Sequence, residues 1–129
     1  MYHTAMGKQA TFACLASVVM LLAPVVPAAD AKDPFQIVQQ GEPAATIVIP
    51  DPAPQWITTA AEWLVEYVHK ATGAKLQVHV EGKPLPQGRL ISVGPTRLAK
   101  AAGVTGDNLK WDACRLVVRE RVLFLIGHD

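Results

Sequence analysis

An α+β domain is predicted by three features of this sequence. An amphipathic stretch of helical period stops at a glycine, an alternating stretch with the period of a strand follows it, and two apolar runs near the C-terminus flank a charged turn. Half of the 129 residues are hydrophobic and the formal net charge is +1. That balance fits one compact domain and argues against a disordered or nucleic-acid-coating chain.

The first segment has the layout of a secretory signal peptide, residues 1–29. "MYHTAMGKQ" carries Lys8, and an uncharged run, "TFACLASVVMLLAPVVPAAD", closes on small residues. The cut falls after Ala28 or after Ala31. Thr11 to Ala23 is shorter than the roughly 20 apolar residues that span a bilayer, and Pro24 interrupts it. Cys14 stands near the start of the run, which disfavours a lipoprotein. The expected location is therefore secreted or periplasmic, with no membrane attachment after cleavage. About 100 residues then remain, enough for a modest core, with Cys114 as the one cysteine and no internal disulfide.

Residues 30–45, rich in alanine and proline, read as a linker, and the domain is expected over 46–129. "TIVIP" has the β-branched character of a strand. Asp51 is a candidate cap for a helix starting between Pro52 and Gln55, since prolines fit a first turn whose N–H groups have no helical partner. Along that helix Ile57, Ala60, Ala61, Leu64, Val68 and Ala71 recur at three and four residue steps. Thr58, Glu62, Glu66, His69 and Lys70 fall on the other side. Gly73 supplies the left-handed stop, and Lys70 suits the negative end of the dipole.

In "KLQVHV" the alternation sends Leu76, Val78 and Val80 inward and Gln77, His79 and Glu81 outward. His69 and His79 thus both read as surface residues. A metal site would need a third ligand and convergent geometry. After the loop "EGKPLPQG", "RLISVG" reads as a short central strand. Thr96 can cap the helix "RLAKAA", which Gly103 ends. A strand-to-helix switch such as "VGPT" can be an anion crevice, but Gly94 and one proline do not make a phosphate loop, and a packing turn is the better reading.

"CRLVV" and "VLFLI" read as a hairpin around Glu120. The second run lacks polar alternation and is expected to be buried on both faces. Cys114 shares parity with Leu116 and Val118, which predicts a buried, inert thiol. Arg115, Arg119 and Arg121 surround the turn without a wider basic surface, so nucleic acid is not an expected partner.

The order "AAEWLVEYVHKATGAKLQV", "ISVGPTRLAKAAGV", "CRLVVRERVLFLIGHD" resembles the amino-terminal domain of the family 67 α-glucuronidases. It is also similar to the second domain of β-hexosaminidases and to the domain preceding large uncharacterised glycosidase-like proteins. The likeness spans Ile47 to Asp129 and rests on "AAEWL" with "KATGA", the "VG.T" turn, and "GHD" where these families have Gly-x-Asp. It implies a two-layer α/β sandwich, a mixed sheet with helices packed on one face, set before a (β/α)8 barrel that holds the catalytic carboxylates. That barrel is absent from this sequence, so Asp129 reads as the edge of a fragment.

Glycoside hydrolysis needs two carboxylates roughly 5 to 10 Å apart across the sugar. Asp51, Glu62, Glu66, Glu81, Asp107, Asp112, Glu120 and Asp129 are scattered over helix faces, turns and loops. No catalytic, cofactor-binding or metal-ligating residue is assigned, and no cofactor. The expected role is that of a non-catalytic accessory domain of an exported glycoside hydrolase acting on uronic-acid-bearing or amino-sugar polysaccharides, with a missing barrel as partner. The alternative is a free-standing exported module that binds carbohydrate or protein. Trp56, Trp63 and Tyr67 recur along one flank of the first helix, and Trp111 stands in a polar loop. This stripe reads first as a packed face and second as a platform for a poly- or oligosaccharide.

Overall fold

The computed structural model describes residues 33–128. The expected signal peptide, residues 30–32 and Asp129 lie outside the described residues. In chain order the elements are β1 (Val38–Gln39), β2 (Glu42–Pro43), β3 (Ala45–Ile49), α1 (Gln55–Thr72), β4 (Gln77–Val80), β5 (Arg89–Val93), α2 (Arg97–Ala101), β6 (Cys114–Arg119) and β7 (Val122–Gly127). One five-stranded sheet has the order β4-β3-β5-β7-β6, and β1 and β2 form a separate pair. β4, β3, β5 and β7 are parallel, while β6 runs antiparallel to β7. The sheet is mixed and the class is α+β, as predicted.

The inner strands β3 and β5 supply the most enclosed residues of the sheet. Ile47, Val48, Leu90 and Ile91 are fully enclosed, and β5 is the middle strand, as its sequence suggested. Thr96 caps α2, its Oγ1 accepting the Ala99 N–H at 3.0 Å and sharing a 2.5 Å hydrogen bond with Ser92 Oγ in the interior. The β6–β7 hairpin turns at Glu120, where φ is +51°.

The long helix begins where proline stops restricting the chain. Pro54, extended at φ −60° and ψ 151°, precedes it, and its carbonyl accepts the N–H groups of Ile57 at 3.0 Å and Thr58 at 3.1 Å. Asp51 does not cap α1 as anticipated. No side chain caps this helix, because Pro52 and Pro54 hold the N-cap position three residues beyond Asp51, at Pro54. The other end matches its sequence signal: Gly73 sits at φ +78° and donates its N–H to the His69 carbonyl at 2.8 Å.

Strand alternation divides the helices between the two faces. α1 buries Ile57 and Ala61 against Ala45, Ile47, Ile49, Ile91 and Val93, with Leu123 and Leu125 packed alongside. The short α2 packs Ala99 with Phe124 and Ile126, which have the opposite parity on β7. The expectation that the helices share one face is corrected: α2 packs on the face opposite α1. The expected burial of β7 on both faces holds only on its α2 side: Phe124 and Ile126 are buried, while Leu123 and Leu125 on the α1 side are half-buried because α1 covers that side only in part.

Three further local expectations are corrected. The segment read as a linker packs Phe35 and Ile37 on the core and forms the β1–β2 hairpin through Gln40 and Gly41, both at positive φ. Val78 and Val80 face the α1 side, paired with Ile47 and Ile49, but β4 is an edge strand and both stay more than 40 % exposed. On the other face of β4, His79 is half-buried and Glu81 is buried instead of solvated.

Candidate functional site

α1 packs chiefly over β3 and β5, which leaves the same face of β7 only partly covered and that of β6 open. Cross-strand partners share a face, so Cys114, Leu116 and Val118 stand beside Gly127, Leu125 and Leu123 on the α1 side. The result is a trough of about 410 Å³ with one helical wall and a sheet floor. Trp56, Trp63 and Tyr67 line the wall, while Val93, Leu125 and Gly127 are among the floor residues. The three rings are 52 %, 60 % and 65 % exposed, and Leu116 on the outer floor is 64 % exposed. The stripe expected to be packed is thus an open surface, because no element of the described residues covers it.

Cys114 lines this trough and is exposed, contrary to the buried thiol its parity suggested. Cys114 does share a face with Leu116 and Val118, but α1 does not cover that face. Gly94 forms the inner corner. It adopts φ +79°, and a Cβ there would lie 2.2 Å from Ile57 Cδ1, so only glycine lets α1 approach β5 this closely.

The strand-to-helix switch after β5 has an internal occupant. Glu81 accepts the Arg97 N–H at 2.8 Å and 3.0 Å through its two oxygens, and the Leu98 N–H at 3.4 Å. The start of α2 is therefore satisfied by a carboxylate of the chain itself, which supports the packing-turn reading over an anion crevice. The sequence carried no signal for this role, since Glu81 continues the polar alternation of β4.

The remaining sequence candidates are not brought together. His69 is exposed on α1, and His79 lies on β4 with Nε2 3.4 Å from the Lys83 carbonyl. Among the described residues no group of three His, Cys, Asp or Glu side chains is placed to hold a metal ion. Glu66 pairs with Lys70, and Asp51, Glu62, Asp107, Asp112 and Glu120 are exposed at separate places. Asp129 lies outside the described residues. Trp111 is 89 % exposed and outside the trough.

The arginines around the hairpin hold loops. Arg115 donates to the Thr105 carbonyl at 2.8 Å, Arg119 to Ala102, and Arg121 to Gly88 and, at 3.2 Å, to Pro86. A wider depression of about 710 Å³ by the β1–β2 hairpin is lined by Gln39, Glu42, Arg89 and Arg121. Arg121 is already engaged there, and no aromatic ring lines it, so the trough is the better candidate. No family model, no curated protein and no solved structure matches this chain.

Proposed function

We propose that this chain is the non-catalytic accessory domain of an exported glycoside hydrolase of α-glucuronidase type, contacting polysaccharide through the trough beside α1. The observation that carries this reading is the row of three exposed rings, Trp56, Trp63 and Tyr67, on the wall of an apolar groove. Flat rings with polar tips suit the faces of sugars. The trough itself contains no carboxylate, so it offers binding without the acid and base that bond cleavage requires. Catalysis would reside in a barrel domain, and export rests on the layout of residues 1–29.

The test uses the compact unit Lys32–Asp129, incubated with oligosaccharides while both saturable binding and release of reducing ends are followed. Binding without cleavage is the expected result. Cleavage by the purified chain would overturn the non-catalytic assignment, and failure to bind any glycan would overturn the accessory role.

A second reading, a free-standing exported module that contacts another protein, is favoured by Leu116 and Val118, which extend the apolar floor beyond the rings. Self-association or capture of a protein partner that is lost in Leu116→Lys, with no glycan binding, would favour this second reading.

A further inference from the structure

We infer that the trough takes a neutral, extended glycan whose pyranose faces stack on Trp56, Trp63 and Tyr67. The inference rests on the accessory-domain reading above and names its ligand class. Two observations carry it, the spacing of the rings and the charge of the lining.

An α-helix advances 1.5 Å and turns 100° per residue, so Trp63 and Tyr67 are about 6 Å apart along the axis, and Trp56 and Trp63 about 10.5 Å apart. Successive members of the row are rotated from one another by only about 20° and about 40°. The shorter step is close to one sugar length in an extended β-linked chain, and the longer step is close to two. Three rings along one flank are therefore spaced to meet the first, third and fourth of four consecutive sugars. The rings are more than half exposed, so stacking on them requires no rearrangement of the core.

The lining carries no charged side chain. Lys70, one turn from Tyr67 on the outer flank, is held by Glu66 and lies 5.9 Å from the Tyr67 ring centroid. A uronate carboxylate stacked along the rings would meet no counter-ion in this lining, so its charge would add nothing to binding. A neutral sugar presents C–H groups on its faces and hydroxyls at its edge. The two indole N–H groups and the Tyr67 hydroxyl can serve those hydroxyls while the faces stack.

The test is a titration of Lys32–Asp129, followed by tryptophan fluorescence and calorimetry, with cellohexaose and xylohexaose as neutral probes and oligogalacturonate as the acidic one. Saturable binding of a neutral probe is expected, weakened about tenfold in Trp63→Ala and in Tyr67→Ala and unchanged in Trp111→Ala. If Trp63→Ala does not fold, Trp63→Leu replaces it, since it fills space without a flat ring. Neutral binding that survives loss of the ring overturns the stacking row. Binding of the acidic probe alone overturns the neutral ligand and leaves the accessory role standing. Absence of binding to all three probes overturns both. Concentration-dependent self-association that Trp63→Ala abolishes, with no glycan binding, assigns the trough to protein contact and also overturns the inference.

Discussion

Glu81 and Arg97 are sixteen residues apart in the chain, yet the Glu81 carboxylate accepts the Arg97 backbone N–H at 2.8 Å and 3.0 Å. The acid that follows β4 thus completes the first turn of α2. A helix of five residues has little intrinsic stability. Its position depends on contacts of this kind and on the Thr96 cap.

Replacing Glu81 by alanine leaves the part-buried N–H groups of Arg97 and Leu98 without their carboxylate acceptor. The expected loss is about 2 kcal/mol, the range of a hydrogen bond to a charged group. Glu81→Gln keeps one neutral acceptor and is expected to lose less. Denaturant unfolding of both variants checks the order, and equal stability of Glu81→Ala and the parent would refute the contact's importance.

Gly94→Ala combines a positive φ with a Cβ placed 2.2 Å from Ile57 Cδ1. A destabilisation of roughly 2 to 4 kcal/mol is expected from backbone strain and overpacking together. Trimming Ile57 to valine removes the clashing methyl. The double variant is therefore expected to be less destabilised than the two single changes added together, and simple additivity would argue against the clash.

Cys114, exposed at the trough, is expected to react with a maleimide in the folded protein as fully as in denaturant. Cys114→Ser is expected to shift stability by no more than about 0.5 kcal/mol, as at other surface positions. Protection of the thiol in the native chain would show that this face is covered in solution.

Ile91 and Val78 lie on the same side of the sheet, one enclosed and the other 43 % exposed. Ile91→Ala is expected to cost about 2 to 5 kcal/mol, the range for a buried large-to-small change, whereas Val78→Ala is expected to stay below about 1 kcal/mol. Similar losses at both positions would contradict the assignment of β4 to an uncovered edge.

Local signals made much of the fold legible. The helix from Ile57 to Ala71, the Gly73 stop, the Thr96 cap and the hairpin at Glu120 all appear where the residues place them, although Ala60 and Ala71 of the expected inward face are exposed. Each depends on neighbours within about one turn, so the sequence carries the whole cause. The Gln40–Gly41 hairpin was also local, but its alanine- and proline-rich surroundings concealed the turn signal.

The trough and the Glu81 contact were legible only in part. Periodicity gave the faces of Trp63, Cys114, Val78 and Glu81 without giving what lies over those faces. That depends on strand order and on where each helix sits across the sheet, relations between residues far apart in sequence. α1 packs chiefly over β3 and β5, so Leu116 and Cys114 on β6 remain open, while α2 on the opposite face encloses Glu81. The sequence by itself determined the elements and the side on which each residue lies. Tertiary structure decided which sides are covered, because burial is a property of the neighbour that arrives and not of the strand that waits for it.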